Sequence, residues 1–288
     1  MARLAIVGVG RIGGEVACVA ASLGISRDLI LYDTVPDLLR AQVLDLQHTG
    51  LDVAISTDRS EIRSADLCIF AAGMPRNPSV KTRADLLHAN LPAARDCAGL
   101  LNGFSGVLIT VTNPMDINNF YLCKTLGLPR ERCIGFGGQL DSARFGTALS
   151  EQSIGGMPFV LGEHGEHQVP LFSRLDTPVE EPVREEILTG LRGASMEIIR
   201  GKGGTVFGPA LHLARLARMV LADTREMAVC SAVLEGEYGL DRCSLGVPVT
   251  VGREGICKIH EWDLDAWEEQ KMNEAGAFAT ELCRTAVP

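Results

Sequence analysis

Leu4-Ala5-Ile6-Val7-Gly8-Val9-Gly10-Arg11-Ile12-Gly13 joins a buried strand, a glycine turn and the opening of a helix. Leu4 to Val7 is a continuous apolar run, and Val16, Val19, Ala20 and Leu23 continue from the turn at helical spacing to a stop near Gly24. In that context the three glycines have separate roles. One makes the tight turn, one lets backbone approach a pyrophosphate, and one lets helix pack on strand, while the helix N-terminus offers its free N–H groups. Leu29-Ile30-Leu31-Tyr32 is a second strand, and Asp33 closes it about twenty residues after the turn. A carboxylate there accepts hydrogen bonds from ribose hydroxyls and repels a 2'-phosphate, which points to NAD over NADP; Thr34 could serve either.

The same rhythm continues outward. Leu38 to Leu46 reads as a helix, Val53-Ala54-Ile55 as a third strand and Leu67-Cys68-Ile69-Phe70 as a fourth, running into Ala71-Ala72-Gly73. Met74 to Thr82, with Pro75, Asn77, Pro78 and Ser79, is a loop. Ala84 to Leu101 is a long helix and Val107 to Val111 another apolar strand. Apolar strands alternating with helices predict an α/β fold with a Rossmann-type doubly wound parallel sheet. After about Gly138 the pattern changes. Helices are expected over Asp141–Glu151, Pro182–Ile199, Ala210–Leu221 and Leu264–Leu282, a short strand at Phe159–Leu161, and antiparallel strands at Met227–Glu235 and Val247–Val251. We therefore expect a dinucleotide-binding domain at 1–140 and an α+β substrate-binding, catalytic domain at 141–288.

The chain has 288 residues, 46% hydrophobic and 22% charged, enough for a sizeable core. Its formal charge of −9 argues against a nucleic-acid or membrane-surface partner, which calls for a basic face. The nine cysteines are scattered without a C-x-x-C pair and read as reduced, mostly buried thiols. The N-terminus runs straight into the first strand, with neither a signal-peptide pattern nor a membrane span, so a cytoplasmic location is expected.

Gly162-Glu163-His164-Gly165-Glu166-His167 is the most polar cluster after a strand in the second half. Its order matches no zinc-helix signature and glycine interrupts helical registration, so no metal is expected. His164 as a general acid/base needs a carboxylate to fix its tautomer, and Asp141 is the candidate. Asp141 and Arg144 share a helix face, either as a local ion pair or with Asp141 turned to His164 and Arg144 gripping a substrate carboxylate. Arg76, Lys81 and Arg83 put three cations on or beside the proline-punctuated loop, as a lid closing on an anion would. Asn113, in Val111-Thr112-Asn113-Pro114, lies at the carboxyl edge of the sheet; it could hold a carboxamide or substrate oxygen, or cap a helix before Asp116.

Taken in order, the glycine turn with Asp33, the Arg76–Leu86 loop, Thr112-Asn113-Pro114, Leu140-Asp141-Ser142-Ala143-Arg144-Phe145 and Gly162-Glu163-His164-Gly165 resemble the lactate/malate dehydrogenase family. Gly203-Gly204-Thr205-Val206-Phe207-Gly208-Pro209-Ala210 and Gly246-Val247-Pro248-Val249 resemble its archaeal malate branch. The resemblance covers nearly the whole chain. It implies hydride transfer between NAD and a small 2-hydroxy acid, with His164 as proton donor and acceptor and Asp141 paired to its ring. Arg144 would bind the C1 carboxylate, Arg83 polarise the carbonyl, and Asn113 hold the carbonyl region beside the nicotinamide. Arg76 stands where malate enzymes meet a second carboxylate and lactate enzymes usually carry glutamine. The implied cofactor contacts are Gly8, Gly10, Arg11, Ile12, Gly13, Asp33, Ala72, Gly73, Asn90, Val111 and Asn113. The resemblance also implies a dicarboxylate or 2-keto acid substrate, a place in the tricarboxylic acid cycle, and a homodimer or homotetramer. Two departures stand out. Seven positions separate Arg76 from Arg83, one more than in the archaeal malate pattern, and Glu166-His167 stand where the family usually has Asp-Ser.

Overall fold

The computed structural model describes residues 2–74 and 82–287. Its parallel half has the strand order β3 (Ala54–Ser56), β2 (Asp28–Tyr32), β1 (Arg3–Val7), β4 (Leu67–Phe70), β5 (Val107–Thr110), β6 (Cys133–Gly135). β1 is the centre: Leu4 pairs with Leu29 on one side and with Leu67 on the other. The chain winds outward from β1 to β3, then returns to β4 and winds the other way, so a crevice opens between the carboxyl ends of β1 and β4. The helices α1 (Arg11–Ser22), α2 (Pro36–His48), α3 (Arg83–Leu100) and α4 (Met115–Leu126) belong to this half. β4 and β5 are buried at every position, as the unbroken apolar runs require.

The second half adds α5 (Gly138–Glu151), β7 (Val160–Gly162), β8 (Gln168–Pro170), α6 (Glu181–Lys202), α7 (Phe207–Leu221), β9 (Glu226–Glu235), β10 (Asp241–Gly252), β11 (Gly255–Ile259) and α8 (Ala266–Ala286). β9 and β10 form the expected antiparallel pair, from Glu226↔Val251 to Glu235↔Asp241. β9 also meets β6 at Ser231↔Gly135, so both halves share one sheet. α7 packs on α1 across the expected boundary, and the main core runs through both halves. A smaller core of Phe145, Leu149, Val160, Phe172 and Ile187 lies between α5 and α6. No helix among the described residues is long and apolar enough to cross a membrane.

Most expected elements recur within a residue or two. Of two that position the site, β6 is not anticipated, and α4 is foreshadowed only as the helix that Asn113 could cap. α4 is buried from Met115 through Phe120, polar Asp116, Asn118 and Asn119 included, so it shows no one-sided apolar stripe. β6 is only three residues long.

Candidate active site

The nucleotide crevice is built from backbone. Gly8 has φ +91°, and a Cβ there would collide with Ala72, two residues past the end of β4. A Cβ at Gly13 would strike the Gly8 carbonyl, so only glycine lets α1 start this close to β1. A Cβ at Gly10 would meet no protein atom within 4 Å, which leaves open space in front of the turn. α1 is preceded by Gly10 at its N-cap, with no side-chain cap and no acidic residue in its first turn, so its leading N–H groups face that space unneutralised. The exposed Arg11 lies on this first turn beside Gly203 and Gly204, while Ile12 packs partly into the core. Asp33 accepts the Val9 N–H at 2.9 Å through Oδ2 and the Val35 N–H at 3.0 Å through Oδ1. Its charge is thus pinned against the turn, with a second lone pair on each oxygen available to ribose hydroxyls. An open anion cradle next to a fixed carboxylate fits NAD.

The β4 and β5 ends close the crevice. Ala72 and Gly73 follow β4, and Val111 and Asn113 follow β5, where Thr112 Oγ1 donates to the Ala72 carbonyl at 2.7 Å. Asn90, on α3 and buried, accepts the Met74 N–H at 2.7 Å and donates to the Met74 and Asn113 carbonyls at 3.1 and 2.8 Å. Its amide is spent joining the two loops, which shapes the crevice from behind. Asn113 Oδ1 accepts the Met115 N–H at 3.3 Å, so its side chain reaches the first turn of α4, although Pro114 holds the capping position.

The proton-transfer cluster is built from side chains of separate elements. His164 Nδ1 lies 2.6 Å from Asp141 Oδ2, and Asp141 Oδ1 accepts Arg144 Nη1 at 3.1 Å. The local ion pair is present, and Asp141 is also turned to His164: one carboxylate serves the imidazole and the guanidinium. Asp141 is 3% exposed, and burial alone would push its pKa up. His164, Arg144 and Gln168 outweigh burial and hold it below the ordinary aspartate value. For His164, burial pulls down, but the charge and hydrogen bond of Asp141, helped by Asp116, raise it above the usual imidazole value.

Arg83, the first residue of α3, lies within a capping box made by Thr82 and Asp85. Its Nη2 donates to the His164 carbonyl at 2.6 Å, and its Nε lies 3.2 Å from Glu163 Oε1. Glu163 Oε2 accepts the N–H groups of Glu166 and His167 at 2.8 and 3.1 Å, so it shapes the hairpin that carries His164. His167 stacks on Phe278 of α8 with ring centroids 4.4 Å apart. Arg76 and Lys81 lie outside the described residues.

Three positioning groups escaped the sequence reading. Gly137 is extended (φ −179°), and a Cβ there would come within 2.6 Å of His164 Cγ, so its bare backbone makes room for the ring. Glu163 stands in a quoted motif, but its pairing with Arg83 carries no local signal. Asp116, in the first turn of α4, accepts the His164 N–H at 2.8 Å.

Comparison with known proteins agrees with this geometry. Residues 2–135 match the lactate/malate dehydrogenase, NAD binding domain, and residues 138–282 the lactate/malate dehydrogenase, alpha/beta C-terminal domain. The chain is 35% identical to a malate dehydrogenase of Natronomonas pharaonis, over 96% of both chains. It is 34% identical to an L-lactate dehydrogenase of Halalkalibacterium halodurans, over 94% of this chain and 93% of that one. Among solved structures it resembles the malate dehydrogenase of Archaeoglobus fulgidus in complex with NADH, with a TM-score of 0.89, 29% identity and 99% coverage of both chains. The chain belongs to the lactate/malate dehydrogenase family and is an NAD-dependent 2-hydroxy acid dehydrogenase.

Proposed function

We propose that the substrate pair is malate and oxaloacetate, with His164 as the proton donor and acceptor. The observation that carries the proton step is the 2.6 Å contact between His164 Nδ1 and Asp141. With Nδ1–H donating to Asp141, Nε2 is the nitrogen left for substrate, and the upward shift of the His164 pKa favours the protonated ring that reduction needs. NAD, when bound, supplies or accepts the hydride at C2. During reduction the Nε2 proton passes to the keto oxygen as that oxygen gains electrons; during oxidation Nε2 takes it back. Asp141 fixes the tautomer and stabilises the imidazolium. Arg144 gives one of its five N–H donors to Asp141 and presents the rest of its fork to the C1 carboxylate. Arg83, tethered by Glu163 and the His164 carbonyl, stabilises negative charge on the reacting oxygen. Asn113 orients the carbonyl region. Gly8, Gly10, Arg11, Ile12, Gly13 and Asp33 hold the nucleotide, and Ala72, Gly73, Asn90 and Val111 form its crevice.

Malate over lactate rests on Arg76, whose cation would be left unpaired against the methyl of pyruvate, and on the similarity to malate dehydrogenases. A lactate specificity is the second reading, favoured by the 34% identical L-lactate enzyme. On the first reading, 1–140 binds the nucleotide, 141–288 carries the chemistry, and the enzyme works as a cytoplasmic homo-oligomer in the tricarboxylic acid cycle. Nine free cysteines, seven of them buried, fit a reducing compartment.

A kinetic matrix of oxaloacetate and pyruvate against NADH and NADPH tests the proposal. Oxaloacetate with NADH is expected to give the highest kcat/KM. Preference for pyruvate would overturn the Arg76 reading, and preference for NADPH the Asp33 reading. Turnover of neither acid would overturn the substrate assignment.

A further inference from the structure

Behind His164 lies a chain of buried polar groups to which the proton step above assigns no part. Asp116, on the first turn of α4, is 1% exposed. Its Oδ2 accepts the His164 N–H at 2.8 Å, and its Oδ1 accepts the Ser231 hydroxyl of β9 at 2.6 Å. Ser231 Oγ is 2.8 Å from Ser244 Oγ of β10, which accepts Asn119 Nδ2 at 3.0 Å. An amide nitrogen only donates, and when Asp116 is ionised the Ser231 hydrogen goes to it. The run therefore has one direction, from Asn119 through Ser244 and Ser231 to Asp116. In the ionised form both Asp116 oxygens accept, one from the His164 N–H and one from Ser231.

That anion is expensive where it sits. Burial first, and the Glu163 carboxylate second, push Asp116 up to about 7, against the hydrogen bonds from Ser231 and His164. Titratable groups face it from several elements. Glu163 and His164 stand on the hairpin, with Arg83 of α3 acting on both. Cys243 on β10 and Cys283 on α8 are thiols that burial holds high, with Asp116 adding to the effect. The folded protein binds the Asp116 proton more tightly than an unfolded chain does. Stability therefore falls as pH rises from the ordinary aspartate value to about 7. A serine or asparagine would hold the His164 N–H without that penalty.

We propose that Asp116 is a positioning residue for the hydride-transfer reaction, its carboxylate anchoring the His164 backbone while its charge, beside that of Asp141, supports the imidazolium. The proposal rests on His164 being the acid/base. It accounts for the buried polar run, in which three hydrogen bonds in series brace one anion behind the proton carrier. Asp116→Asn separates charge from scaffolding, because the amide still accepts the His164 N–H and donates to Ser231.

The test is the titration of the His164 ring by NMR in Asp116→Asn, with the His164→Asn protein identifying its signal among the six histidines. The midpoint should fall by about one pH unit, as loss of a nearby opposite charge requires. The alkaline limb of kcat/KM for keto-acid reduction should move down with it, and the acid limb for oxidation should move in the same direction. Above pH 7 the variant should melt no lower than the parent. An unshifted His164 midpoint with a lower Tm would reduce Asp116 to a structural hydrogen-bonding group and overturn the proposal. Should Asp116→Asn not fold, Ser231→Ala removes one donor to the anion, and a smaller downward shift is expected; no shift in the folded variant overturns the proposal equally. If His164→Asn keeps its turnover, the acid/base reading fails instead, and the ring titration still reports the coupling by itself.

Discussion

The glycine turn and the His164 cluster lie in one molecule but are made in opposite ways. The turn uses a run of neighbours, Gly8 to Gly13, and its working groups are peptide N–H donors and empty space. The His164 cluster draws on α3, α4, α5, β9 and the 163–167 hairpin, and its working groups are side chains held by other side chains. A backbone site depends on the absence of atoms, so it breaks when a Cβ is added. A side-chain site depends on each partner's charge and reach, so it breaks when one is neutralised or displaced. Binding and chemistry should accordingly be separable by mutation.

The separation is tested most severely at Asp141. Asp141→Asn removes the charge that fixes the His164 tautomer, and kcat should fall on the order of 10²- to 10⁴-fold. The reduction limb should also move to lower pH, because His164 loses the main group that raises it. NADH affinity, read by fluorescence titration, should barely change; a large loss would mean that the two regions are not independent. Arg144→Ala should raise KM for the keto acid about 10- to 100-fold, the weight of hydrogen bonds to a charged group. An unchanged KM would leave the guanidinium with only its Asp141 contact. Gly137→Ala puts a methyl against the imidazole and should cost roughly 10-fold or more in kcat, with NADH binding intact. On the nucleotide side, Asp33→Ser should shift the NADPH-to-NADH preference by about tenfold, because the like-charge repulsion of a 2'-phosphate disappears. No change would mean that Asp33 serves the turn alone.

The same contrast explains what was legible in the sequence. The turn could be read because its requirements lie within a few residues and repeat the strand-to-helix geometry. Asp33 could be read because the second strand ends beside the first. His164, Asp141 and Arg144 could be nominated from residue type, but only the fold brings Asp141 to Nδ1. Gly137 was invisible because its reason is a ring 27 positions further along the chain. The role of Asp116 was invisible because its partner lies 48 positions further along the chain, and α4, buried around most of its circumference, lacks the apolar stripe that would have fixed its orientation. Asn90 is a third case: the resemblance set it at the cofactor, and its amide joins the backbone of the two loops that line the crevice.

The central claim, that His164 moves the proton while a separate backbone site holds the nucleotide, is tested most directly by His164→Asn. Steady-state turnover and NADH binding should be measured on the same preparation. Turnover should fall about a thousandfold or more with the NADH dissociation constant nearly unchanged. Turnover close to that of the parent would contradict the account.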